Sequence, residues 1–396
     1  MPSLLAARNG QYGSRNAARP ISTASASPWA RILAACFGLV GQAVRRWFPR
    51  TTSAAYLLAV AAVVLGGQLY YLLVRPYIYE YAILCGAALL MLGLWLWLSA
   101  ANTPVEKRGA LLVRLAFGSL FVALVAGCRP QMELFAFLAV PIFWQRYIGQ
   151  KRLRSRAGVG EAAAFILPVV VVAAGLMWYN AARFGSPFDF GANYNLTGND
   201  MTQRGFNAVR IGPAVFTSLF ELPSWQGVFP FLRETDVQTN AVIRTISEKF
   251  TGGMLAATPY LWVLALPLLP AFRRCLHHRR AVAGIVYGGI AAMVVMTVVD
   301  CEMAGVLYRY LMDYSPVLLV GAALCWFCAE GALSRRTAVG DATAAAALSA
   351  LRVVMAAAVA YTAVYRFCTL FAMEPWLQGM NPSLYYTVSR LVQFWM

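Results

Sequence analysis

The chain has 396 residues, 60% of them hydrophobic and 12% charged, and a mean hydropathy of +0.61, far more apolar than a water-soluble globular domain. The formal charge of +17 would suit a nucleic-acid binder, but the basic residues stand in short clusters between apolar runs, which is a topology signal and excludes nucleic acid as a partner. The eight cysteines lie mostly inside apolar runs as small hydrophobes and mark no disulfide framework.

Residues 1–28 are rich in Ala, Ser, Arg and Asn, lack the apolar core and cleavage site of a secretory signal, and read as disordered. Trp29 to Val44 is apolar but short and carries glycines, so it reads as an interfacial helix within an N-terminal segment 1–53. Spans follow at 54–74, 82–101, 110–127, 132–147, 161–183, 254–271, 281–299, 311–329 and 346–372, each near the roughly 20 apolar residues that cross a core of about 30 Å. The expected fold is therefore all-α, a polytopic bundle of about nine spans. A membrane domain 54–183 and another 254–372 flank a long outer loop 184–253, and an outer segment 373–396 follows.

Placing Arg45, Arg46 and Arg50 inside puts the other basic clusters on the same side: Lys107 and Arg108, Arg146 to Arg156, Arg273 to Arg280, and Arg335 with Arg336. Short outer segments keep only Arg75, Arg129 and Arg309, as the positive-inside rule expects. The N-terminus is then cytoplasmic and the C-terminus outside, in an integral protein of a plasma membrane of bacterial type. Most acids, including Glu80, Asp189, Asp200, Glu221, Glu248, Asp300, Glu302, Asp313 and Glu374, fall outside or at the outer boundary. Both histidines, His277 and His278, fall inside, which excludes an outer histidine-based site. The loop 184–253 is long enough to be functional, and its tail from Thr235 to Phe250 has apolar residues at helical spacing, as in an interfacial helix.

Four outer clusters carry candidate chemistry. In Cys128-Arg129-Pro130-Gln131 the proline forces a bend and leaves a guanidinium able to hold a phosphate bidentately. Asp300-Cys301-Glu302 precedes Tyr308-Arg309-Tyr310 and Asp313, and Arg309 and Asp313 have the four-residue spacing of a helical ion pair. Trp178-Tyr179-Asn180 leads through Arg183 into Phe184-Gly185-Ser186-Pro187-Phe188-Asp189-Phe190-Gly191, a tight turn flanked by aromatics. Arg75-Pro76-Tyr77-Ile78-Tyr79-Glu80 places a carboxylate among tyrosines. Asn195-Leu196-Thr197 has the form of a glycosylation sequon, and Cys325 and Cys328 form a C-x-x-C within a span. Cys128 and Cys301 both fall near the outer face, where a disulfide between them is open. Gln68, Arg114, Glu133, Arg352 and Arg366 stand as isolated polar residues in apolar runs.

Together these segments, over roughly 54–320, resemble bacterial membrane glycosyltransferases of the GT-C superfamily, which take a sugar from a polyprenyl-phosphate carrier. The resemblance implies inverting transfer to a glycan or other hydroxyl acceptor at the outer face, with a carboxylate as general base and Arg129 and Arg309 holding the donor phosphate. Gln131, Asn180, Glu302 and Asp313 are supporting residues on this reading. Such enzymes usually carry a catalytic acid in a large first outer loop. Here that loop is only about seven residues, so the chain is expected to lack the usual N-terminal spans and that loop. No catalytic aspartate is carried over; Asp189, Asp300 and Glu80 are the candidates for the base. No cofactor is read from the residues, and a divalent metal is left open. The alternatives are a transporter or flippase of a lipid-linked saccharide, or a truncated non-catalytic relative.

Overall fold

A computed structural model describes residues 23–74, 77–191, 194, 205–236, 246–373 and 376–394. Residues 1–22, Arg75 and Pro76, the Asn195 sequon, Asp200, residues 237–245 of the expected loop helix and Glu374 lie outside the described residues. Helices α1 (Thr23–Trp47), α2 (Ser53–Gly66), α3 (Leu69–Val74), α4 (Ile78–Ala101) and α5 (Arg108–Val125) open the chain. Pro130 to Gly149 runs as 3-10 helix, α6 (Ala139–Trp144) and π-helix, and α7 (Arg156–Phe184) follows. The long segment after α7 holds α8 (Ile211–Val215), the pair β1 (Ser224–Trp225) and β2 (Leu232–Arg233), and β3 (Ile246–Ser247). Then come α9 (Met254–Ala257), a 3-10 helix Pro259–Leu268, α10 (Pro270–His277), α11 (Arg280–Met303), β4 (Gly305–Val306), α12 (Leu311–Thr337), α13 (Ala342–Ala372), α14 (Trp376–Met380) and α15 (Pro382–Val392).

The fold is the expected all-α bundle. Among the described residues six helices are long and apolar enough to cross a membrane: α4, α5, α7, α11, α12 with the turn before it, and α13. The other three expected spans are discontinuous. Residues 54–74 break between Gly66 and Leu69, and both 132–147 and 254–271 contain 3-10 segments that begin at a proline, Pro130 and Pro259. A proline suits such a start, because its φ is preset and the N–H it lacks would have no partner in the first turn. Elsewhere the caps are local: Thr52 accepts from Ala55 N at 3.2 Å, Ser155 from Gly158 N at 3.0 Å and Asp341 from Ala344 N at 3.0 Å, each satisfying a donor the helix start leaves over. The expected turn after α7 is present: Gly185 ends the helix at φ 78°, left-handed backbone that glycine adopts without a Cβ clash.

α12 is the centre of the bundle, with 78% of its most apolar window buried, against 6% for α7. An apolar helix so little covered by its own chain belongs in lipid. The segment expected as an interfacial helix is different. α1 is 25 residues long, about 37 Å at 1.5 Å per residue, and it runs parallel to α4: Gly38 sits against Trp95, and Arg46 Nη1 donates to the Ala101 carbonyl at 2.7 Å. Ile32, Ala35, Leu39 and Ala43 make its buried stripe at helical spacing. The interfacial placement is thus corrected, because that stripe is covered by protein. The start of α1 lies at the end of the bundle opposite to Arg45 and Arg46.

α4 and α5 approach closely where Gly93 meets Gly118: a Cβ on Gly93 would stand 2.5 Å from Val122 Cγ2 and 3.0 Å from the Gly118 carbonyl oxygen. Small residues at such crossings let backbones draw together in the absence of a hydrophobic driving force. Gly93→Leu is expected to wedge the pair apart at a cost of about 1–3 kcal/mol, read as a lower melting temperature of the detergent-purified protein; an unchanged melting curve would contradict this packing.

Candidate functional site

At the ends of α4, α11 and α12 away from the basic clusters, polar groups gather around the 3-10 turn Tyr308–Tyr310. Pro130 restricts the residue before it, and Arg129 is extended at φ −148°, ψ 87°. Its Nε donates to Asp313 Oδ1 at 3.2 Å and its Nη2 to Asp313 Oδ2, a bidentate pair of the geometry a guanidinium favours. Asp313 is wholly buried. Burial works against the charge on Arg129, but Asp313 holds its pKa above the ordinary guanidinium value. Two residues on, Gln131 Nε2 donates to Asp300 Oδ1 at 3.2 Å, so one bend serves two aspartates on different helices.

The expected Arg309–Asp313 ion pair is not formed. Arg309 precedes α12 and lies in the 3-10 turn, where successive side chains diverge by about 120° and residues four apart do not share a face. Tyr308, Arg309 and Tyr310 therefore point at three different neighbours. Arg309 Nη1 pairs with Glu248 and stands 3.5 Å from Glu80 Oε1. Glu248 arrives on a short parallel ladder in which Ile246 pairs with Gly305 and Ser247 with Val306, and Glu248 N donates to the Val306 carbonyl at 3.0 Å. Gly305 is required there, since its φ is 144° and a Cβ would strike the Ile246 carbonyl. The Tyr310 ring centre is 4.3 Å from the Arg129 guanidinium carbon and 5.6 Å from that of Arg309, within cation–π range of both.

Tyr308 reaches the third neighbour, Arg366. Arg366 and Gln68, expected to be isolated, meet here. Arg366 Nη2 donates to the Gly66 carbonyl at 2.7 Å and to Thr258 Oγ1 at 3.0 Å; its Nη1 is 3.4 Å from both Gln68 Oε1 and Tyr308 Oη. The guanidinium also lies 5.1 Å from the Tyr70 ring and 5.4 Å from that of Tyr365. No carboxylate among the described residues pairs with it. Arg352 is not isolated either; it pairs with Glu330 at 2.8 Å.

Of the three candidate bases, Asp300 and Glu80 reach this cluster and Asp189 does not. Asp189 accepts from Gly191 N at 2.7 Å, a local turn contact, and Asn180 donates to the Pro187 carbonyl at 3.2 Å, closing the same turn. Glu302 accepts from Asn207 N at 2.9 Å and pairs with Arg210 at 3.5 Å, which ties the long segment after α7 to α11. Cys128 and Cys301 are not joined by a disulfide, and neither are the buried Cys325 and Cys328. Glu248, Arg366 and Gln68 are members of the cluster that sequence reasoning did not assign to a site. Glu248 fell in a stretch read as amphipathic helix, and the glycine at 305 that admits its ladder carries no strand signal.

Five buried atoms in the cluster have no hydrogen-bond partner among the described residues: Asp300 Oδ2, Glu80 Oε2, Arg309 Nε, Gln68 Nε2 and Arg366 Nε. Asp300 also lines a cavity of about 10 Å³ with Thr297, Tyr310 and Tyr314, room for about one water. Among the described residues, no group of three His, Cys, Asp or Glu is placed to hold a metal ion. No family model matches the chain, and no curated protein or solved structure matches it.

Removing one partner of a buried pair leaves the other charge uncompensated, at about 3–5 kcal/mol. Asp313→Ala should therefore lower the melting temperature sharply in detergent, and adding Arg129→Met should recover part of the loss. If the double variant melted lower than the single, the pairing would be refuted.

Proposed function

We propose that the chain is a membrane glycosyltransferase that moves a sugar from a polyprenyl-phosphate donor to a hydroxyl acceptor at the outer face. The observation that supports this reading is the unused hydrogen-bonding capacity around Tyr310: a carboxylate oxygen of Asp300, and donors on Arg129 and Arg309 that their acid partners do not consume. Arg129 spends Nε and Nη2 on Asp313, which leaves Nη1 outside that ion pair. Arg309 keeps Nε. Buried polar atoms without partners are rare, and such groups concentrate where a ligand completes them.

In the proposed reaction Asp300 takes the proton from the acceptor hydroxyl, whose oxygen attacks the anomeric carbon. The bond from that carbon to the phosphate oxygen breaks, and the lipid phosphate leaves with the electron pair. Arg129 and Arg309 stabilise the charge that develops on it. Glu80 orients Arg309, and Asp313 holds Arg129 in place. The chain lies in a lipid bilayer, with this cluster on the face away from the basic loops.

A second reading, passage of a lipid-linked saccharide, is favoured by one feature: the break between α2 and α3 beside Arg366, since transporters bind substrates at discontinuous helices. The two readings separate on one preparation. With the protein in vesicles containing a radiolabelled polyprenyl-phosphate sugar, Asp300→Asn is expected to lower transfer about 10²- to 10⁴-fold while the protein still folds. Unchanged transfer would remove Asp300 as the base. Sugar that crosses the vesicle membrane without leaving its lipid would select the transport reading.

A further inference from the structure

The opposite end of the bundle holds a polar cavity of about 490 Å³ between α1, α4 and the start of α5. Four cations line it, Arg45, Arg46, Lys107 and Arg114, together with Asn102 and Thr103, and no carboxylate does. Arg46 is braced on the Ala101 carbonyl at 2.7 Å and Asn102 Oδ1 at 2.9 Å, and Arg114 donates to Thr103 Oγ1 at 2.5 Å. Behind this wall lies Arg146, 8% exposed. It donates to the carbonyls of Thr103 at 2.8 Å and Ala100 at 3.4 Å, while its Nε and Nη2 are buried without a partner.

Topology explains basic residues in a cytoplasmic loop, but it is satisfied by cations that project into water. It does not explain a buried arginine with unspent donors behind half-buried Arg46 and Arg114. Like charges held in a protein cavity repel unless an anion neutralises them. Two arginines fixed by backbone and side-chain acceptors present guanidinium forks of the shape that phosphate oxygens fill. The cavity has the volume of a small-molecule site and exceeds what one phosphate occupies.

We propose that this cavity binds the phosphate of an anionic ligand, either a phospholipid headgroup or a free phosphate, and that the bound anion clamps α1 to α4 and α5. Arg46 and Arg114 form the floor of the site and Arg45 and Lys107 its mouth. The site is independent of the outer cluster and of the reaction assigned there.

The test uses the full chain, purified and delipidated in detergent, with phosphatidylglycerol, phosphatidylcholine or inorganic phosphate added separately. Thermal stability and retained ligand in native mass spectra are the readouts. Phosphatidylglycerol, but not phosphatidylcholine, should raise the melting temperature and stay bound. The double variant R46Q/R114Q should weaken that affinity by about tenfold or more, a loss of about 1.4 kcal/mol per factor of ten. The pair R273Q/R274Q, exposed at the same end but outside the cavity, should leave it unchanged. Stabilisation by phosphatidylglycerol alone supports the headgroup as the source, and equal stabilisation by inorganic phosphate supports free phosphate. Because R46Q/R114Q also loses internal hydrogen bonds, R45Q/K107Q at the exposed mouth is measured beside it. The proposal is overturned if the wild-type chain is stabilised by neither anion, or if both double variants bind as tightly as wild type.

Discussion

Inside a bilayer every backbone polar group must find its partner within the protein, and Arg366 meets that requirement where the bundle is least regular. It donates to the Gly66 carbonyl at the end of α2, to Thr258 before the 3-10 helix Pro259–Leu268, and to Tyr308 at the head of the turn Tyr308–Tyr310. Three breaks in regular structure thus share one guanidinium. An ionisable group so fully buried is costly, and here it is surrounded by neutral oxygens and the rings of Tyr70 and Tyr365. Anchoring Tyr308 fixes the direction of the next two residues, so the placement of Arg309 and Tyr310 follows from the same contact.

The two ends of the bundle handle charge in opposite ways. At one end arginines and acids alternate around Tyr310, and both guanidinium groups beside its ring have carboxylate partners: Arg129 with Asp313, Arg309 with Glu248 and Glu80. Charge is nearly balanced there, and what remains unspent are single atoms suited to a directed interaction with a reacting group. At the basic end the cations around Asn102 face one another with no acid between them. Such a site attracts an anion through net charge as well as geometry. Both arrangements use arginine, whose fork can be held by one acceptor set and still offer donors to another.

Several site residues were legible because a local rule pointed at them. Pro130 marked the bend that exposes Arg129, and the acids at 300, 302 and 313 stood out against apolar runs. Their partners were not legible. The pair Arg129–Asp313 joins residues 184 apart, and Arg309–Glu248 joins residues 61 apart. The four-residue spacing from Arg309 to Asp313 suggested a different pair, and it misled because the α-helix begins only at Leu311. Asp189 and Asn180 looked like site residues by their neighbours, yet both are consumed in closing the turn after α7.

By itself the sequence determined that the chain is an all-α membrane bundle, where its long apolar helices run, and which end carries the basic clusters. These depend on composition and spacing summed over windows as long as a span, and the bilayer enforces them locally. Only the tertiary structure decided that α1 packs along α4, that three expected spans are broken, and that Gln68 and Arg366 meet. A stripe such as Ile32, Ala35, Leu39 and Ala43 suits an interface or a neighbouring helix equally well. Which of the two it contacts is settled by the shape of the distant surface that arrives beside it. The same holds for the polar clusters, because a buried charge is stabilised by whichever partner the folded bundle brings within reach.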